Sequence, residues 1–103
     1  MTSRTDAEQQ QAQREADKLA LYHSATCLYC MMVRRAIDRL GVKIELLNID
    51  NDADSLAELI AGGGRGTVPC LRIDDDAGQR QWMYESTDIV AFLDQRFMQA
   101  QST

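Results

Sequence analysis

Leu19-Ala20-Leu21-Tyr22-His23-Ser24-Ala25-Thr26-Cys27-Leu28-Tyr29-Cys30, running on to Leu40 and Gly41, is the stretch that decides the fold. Leu19 to Tyr22 is a short apolar run ended by four small or polar residues, the pattern of a buried strand. Over residues 28 to 40, Leu28, Met32, Ala36 and Leu40 recur at four-residue steps with Val33 and Ile37 beside them. Arg34, Arg35, Asp38 and Arg39 fill the other face, so the spacing predicts an amphipathic helix. Gly41 stops it.

Outward from there, Val42 to Ile49 reads as a second strand. The acidic cluster Asp50 to Ser55 can cap a short helix carrying Leu56, Leu59 and Ile60. Gly62-Gly63-Gly64-Arg65-Gly66 is expected to close that helix and form a mobile loop. Val68 to Ile73 is a third strand containing Pro69, the chain's only proline. Asp74 to Gly78 is turn chemistry, read as a solvated turn, and Gln81 to Tyr84 can pair back as a hairpin arm. Packing accounts for Trp82 and Met83. A last helix is expected to begin at Ser86 or Thr87, either able to cap it, with Ile89, Val90, Leu93 and Phe97 on one face.

The order βαβαββα implies a parallel pair with a right-handed crossover, extended by an antiparallel hairpin. The expected class is α/β, a four-stranded mixed sheet flanked by helices, over residues 18–103. Residues 1–17 are a polar extension with no apolar residue larger than Ala after Met1. A frayed helix or disorder is expected there, because little can be buried.

At 103 residues one domain is expected. The net charge of -5 argues against nucleic-acid binding, which relies on Lys and Arg clusters. No run of about 20 apolar residues is present, so no membrane span is expected. The polar N-terminus lacks a signal-peptide core, so a cytoplasmic location is expected. Three cysteines in such a setting point to redox or metal chemistry rather than structural disulfides.

Cys27 and Cys30 fall where the first strand hands over to the first helix. At this spacing in a helix's opening turn, two sulfurs lie on one face, near enough to form a disulfide. Unpaired N–H groups and the helix dipole favour a thiolate there, which makes Cys27 the expected nucleophile and the more shielded Cys30 the resolving thiol. A closed zinc site would need four ligands and would have to recruit Cys70 and the lone His23, so no metal site is assigned. Cys70 is read as a small buried strand residue and His23 as a polar residue at a strand end.

Three separated motifs, Tyr22 to Cys30, Arg65-Gly66-Thr67-Val68-Pro69 and Tyr84-Glu85-Ser86-Thr87-Asp88-Ile89, resemble those of the glutaredoxins across residues 19 to 98. The resemblance implies a thioredoxin-like fold and a glutathione-dependent thiol–disulfide oxidoreductase acting through Cys27 and Cys30. It implies a cis Pro69, a Val68 backbone that pairs with glutathione, and Thr67 beside them. By the same resemblance Thr87 and Asp88 bind the γ-glutamyl end, and Arg65 and Tyr29 the glycine end. Disulfide-containing or glutathionylated proteins are the implied partners of a monomer. The family also implies an alternative, a [2Fe–2S] carrier or sensor in which two subunits share a cluster held by cysteine and glutathione. Here Leu28 replaces the family's frequent Pro, and Ser24 its frequent Lys. Glu85-Ser86 replaces Gly-Gly, which is similar to the glutathione transferase N-terminal domain.

Overall fold

The computed structural model describes residues 4–98; the ends of the two predicted segments, 1–3 and 99–103, lie outside it. The element order is α1 (Asp6–Ala16), β1 (Leu19–His23), α2 (Leu28–Leu40), β2 (Glu45–Asn48), α3 (Ala53–Gly63), β3 (Cys70–Asp74), β4 (Arg80–Met83) and α4 (Ser86–Met98). The four strands form one mixed sheet in the order β2-β1-β3-β4. β1 runs parallel to β2, with Leu21 opposite Leu46, and antiparallel to β3, with Leu21 opposite Leu71. This is the thioredoxin-like α/β fold that the sequence predicts.

The strand period of two divides the core. Leu19, Leu21, Leu71 and Ile73 face α2 and α4, meeting Val33, Ile37, Leu40, Ile89, Leu93 and Phe97. Tyr22 and Cys70 face the other way, meeting Leu59 of α3, with Trp82 and Tyr84 packed against them. All five β1 residues are buried, as a central strand covered on both sides requires.

Three local readings are corrected. α2 buries Cys30, Val33, Ala36, Ile37 and Leu40, while Leu28 and Met32 point outward at 72% and 50% exposure. The four-residue repeat joined two faces, and the position of α4 selects the one that is covered. Gly62 and Gly63 belong to α3, and only Gly64 leaves the helix, as its left-handed C-cap (φ 91°). A Cβ at Gly62 would overlap the Trp82 ring and one at Gly63 the Tyr84 hydroxyl, so these glycines let α3 sit close against the sheet. α4 opens at Ser86, with the Ile89 N–H bonded to the Glu85 carbonyl at 2.8 Å, which puts Ser86 and Thr87 inside the first turn rather than at its cap.

Strand limits also tighten: β2 spans four residues and β3 starts only after Pro69. At the N-terminal end the polar segment forms α1, opened by a Thr5–Glu8 capping box. It buries Ala12 and Ala16 in the main core, and the Gln13 side chain bonds both the N–H and the carbonyl of Lys43. Small residues thus bury what a size-based reading overlooks. Among the described residues, no helix is long and apolar enough to cross a membrane.

Candidate active site

Cys27 is the N-cap residue of α2, outside the helix proper, with extended backbone (φ -90°, ψ 117°). Its sulfur accepts the Cys30 N–H at 3.2 Å, the bond an Asp or Ser oxygen makes at an ordinary cap. A sulfur in that position faces backbone donors and the positive end of the helix, which suits a charged acceptor. Cys27 is partly exposed, whereas Cys30 is completely buried, and both are free thiols. Burial first, and the bond to Cys27 second, push the Cys30 thiol up to about 12.

The turn that presents Cys27 is tied down from below. The Cys27 N–H donates to the Ser24 carbonyl at 3.2 Å, and the buried Ser24 hydroxyl donates to Asp50 Oδ2 at 2.6 Å. The residue in the place of the family's lysine is therefore a buried anchor. His23 beside it is also buried. Desolvation first and Arg34 second lower its pKa from the ordinary value, with Asp50 acting in the opposite direction, which keeps the imidazole neutral near pH 7.

Across from the cysteines the Val68–Pro69 bond is cis, and the Cys27 sulfur lies 3.9 Å from the Val68 carbonyl oxygen. From that point a groove of about 410 Å³ opens. Of the seven residues that the resemblance assigns to glutathione, Tyr29, Arg65, Thr67, Val68, Pro69 and Thr87 line it. Asp88, exposed in the first turn of α4, is not part of the lining. Tyr84, Glu85 and Ser86 complete the wall. The Glu85-Ser86 pair was visible in the sequence as a departure, but its place in the wall required the turn from β4 into α4.

Cys70 is buried directly after Pro69, and burial raises its thiol to about 11. It packs between β1 and α3 as a small core residue. Tyr22, fully buried, bonds Glu58 and Arg72 through its hydroxyl, so this polar cluster lies on the α3 side of the sheet.

A capped cysteine pair beside a cis proline on this sheet defines a glutaredoxin-like thioredoxin-fold protein. Residues 21–101 match the model of the glutathione S-transferase N-terminal domain, and the chain belongs to that family. Glutaredoxin 3 of Escherichia coli (strain K12) is 37% identical over 54 residues, which is 52% of this chain. The chain spans about 65% of the length of that curated relative. Among solved structures, maleylacetoacetate isomerase from Anaeromyxobacter dehalogenans 2CP-1, with bound GSH in its active site, matches with TM-score 0.61 and 24% identity. That match covers 79% of this chain and 38% of the isomerase. The holo form of glutaredoxin C1 from Populus tremula x tremuloides matches with TM-score 0.57 and 23% identity, covering 92% and 99% of the two chains. These structural likenesses are of fold.

Proposed function

We propose that the chain is a glutathione-dependent thiol–disulfide oxidoreductase that reduces protein–glutathione mixed disulfides, and protein disulfides, in the cytoplasm. The observation that carries the reading is the Cys27 sulfur: partly exposed, bonded to a helix-start N–H at 3.2 Å, and 3.9 Å from the Val68 carbonyl at the groove. The groove volume suits a tripeptide-sized ligand. In this reading glutathione extends along Val68 as a short added strand, with its glycine carboxylate toward Arg65 and Tyr29 and its γ-glutamyl end toward Thr87 and Asp88. Glutathione's presence in the matched isomerase's active site supports the same reading.

The chemistry then follows from sulfur exchange. Cys27 thiolate attacks the glutathione sulfur of a mixed disulfide, forming Cys27–S–SG and releasing the protein thiolate, which takes up a proton. A second glutathione thiolate attacks that adduct, giving oxidised glutathione and restoring Cys27. In the two-thiol route Cys30 loses its proton and displaces glutathione thiolate instead, closing a Cys27–Cys30 disulfide. Because Cys30 is buried and its thiol sits at about 12, the one-thiol route is favoured near neutrality. A [2Fe–2S] cluster would find one open sulfur on this chain, Cys27, and would need its other ligands from glutathione and a second subunit.

A glutathione-coupled reductase assay tests this. Cys27→Ser is expected to abolish deglutathionylation, and Cys30→Ser to spare it while impairing reduction of protein disulfides. Activity retained without Cys27 would overturn the proposal.

A further inference from the structure

Tyr84 joins the groove to the elements around it. Its hydroxyl donates to the Arg65 carbonyl at 2.9 Å and accepts from the Arg65 N–H at 3.3 Å, so one phenol satisfies both backbone groups of a loop residue. The Arg65 guanidinium folds back over the same ring, 4.3 Å from its centroid. Arg65 is thus gripped by backbone and side chain at once. Behind the hydroxyl stands Gly63, where any Cβ would overlap it, and the Cys70 thiol is its other side-chain neighbour. Burial raises the Tyr84 phenol above its ordinary range, which keeps it a donor near neutral pH.

The clamp has a consequence for charge. Arg65 sits between Gly64 and Gly66, where the backbone alone would leave it free to wander. Among the described residues it makes no ion pair, and stacking on a neutral ring leaves its charge uncompensated and its N–H edges available. Both residues line the groove. A pre-ordered, unpaired guanidinium at one end of a groove suits a planar carboxylate.

We propose that Tyr84 is a specificity-determining positioning residue: by fixing Arg65 it makes the groove select a ligand with a free carboxylate at that end. This deepens the glutathione reading above and rests on it. Esterified glutathione, which keeps the thiol and the γ-glutamyl end, is the discriminating probe.

The experiment titrates glutathione and its glycyl ethyl ester into the reduced full chain by calorimetry, for wild type, Tyr84→Phe and Arg65→Ala. Wild type is expected to bind the acid at least about tenfold more tightly than the ester, the size of one good charged hydrogen-bonded contact. Tyr84→Phe keeps the ring and loses the hydroxyl. It is expected to weaken acid binding about tenfold more than ester binding, so the preference collapses as it does in Arg65→Ala. A partly unfolded variant would lower both affinities equally and keep the ratio. An undiminished ratio in Tyr84→Phe, a wild-type ratio near one, or no binding of either compound overturns the inference. Discrimination without disulfide reduction would remove the oxidoreductase reading alone, and reduction without discrimination would remove this inference alone.

Discussion

Replacing Gly62 by Ala sets two opposing effects against each other. In a helix interior the change ordinarily stabilises by about 1 kcal/mol, because glycine gives up more backbone freedom on folding. Here the new methyl would overlap three ring atoms of Trp82. Trp82 is backed by Tyr22, with ring centroids 5.6 Å apart and planes tilted by 34°, and Tyr22 itself is fully buried. Pushing α3 away overpacks the contact at a cost of about 1–3 kcal/mol. Swinging the indole outward instead loses the aromatic pair, about 0.5–1.5 kcal/mol, together with its buried area. Set against the propensity gain of about 1 kcal/mol, the overlap leaves an expected net loss of up to about 2 kcal/mol. For a domain of this size that lowers Tm by up to roughly 15 °C. Urea unfolding followed by fluorescence of Trp82, the only tryptophan, measures it directly. Ala57→Gly, on the exposed side of α3, is the control, expected to cost about 1 kcal/mol by propensity alone. A Gly62→Ala protein stabilised by the full ~1 kcal/mol of helix propensity would refute the close approach of α3 to the sheet.

The high Cys30 value carries a kinetic expectation. Closure of a preformed Cys27–glutathione adduct by Cys30 should speed up about tenfold per pH unit between 7 and 9, since the thiolate fraction grows in that proportion below its pKa. Stopped-flow release of glutathione measures it, and a flat profile would remove Cys30 as a buried resolving thiol. Stability should fall in alkali for a related reason. Folding raises Cys30 and Cys70 from 9.0 to about 12 and about 11, so above pH 9 the unfolded chain gives up protons that the folded chain retains. Their contribution is complete below pH 9 and is lost as pH climbs toward those values. Cys70→Ala should flatten the decline of urea midpoint between pH 9 and 11, and an unchanged slope would contradict the burial of its thiol.

What the sequence reveals most clearly are features carried by neighbouring residues. The β1 run, the cysteines at the start of α2, Gly41 and the turn after Asp74 each announce themselves within a few positions, and their order fixes the sheet. The groove residues Arg65, Thr67, Val68, Pro69 and Thr87 were legible through motifs, though the spacing alone could not bring them together. What escaped depends on partners distant in the chain. Gly62 and Gly63 look like loop residues until Trp82 and Tyr84 are placed against them. Leu28 and Met32 look like core until α4 covers the adjacent face of α2. Ser24 gives no local sign of its bond to Asp50, 26 positions on. The role of Tyr84 was hidden similarly, because it is defined by contacts with Arg65 and Gly63 rather than by its own neighbours.

The most direct measurement of the account exposes the reduced Cys30→Ser protein to oxidised glutathione at neutral pH and maps the adduct by peptide mass spectrometry. One glutathione on Cys27 is the predicted result, with Cys70 untouched while the fold is intact. Modification of Cys70 in its place, or an unmodified Cys27, would contradict an open nucleophilic sulfur at the start of α2.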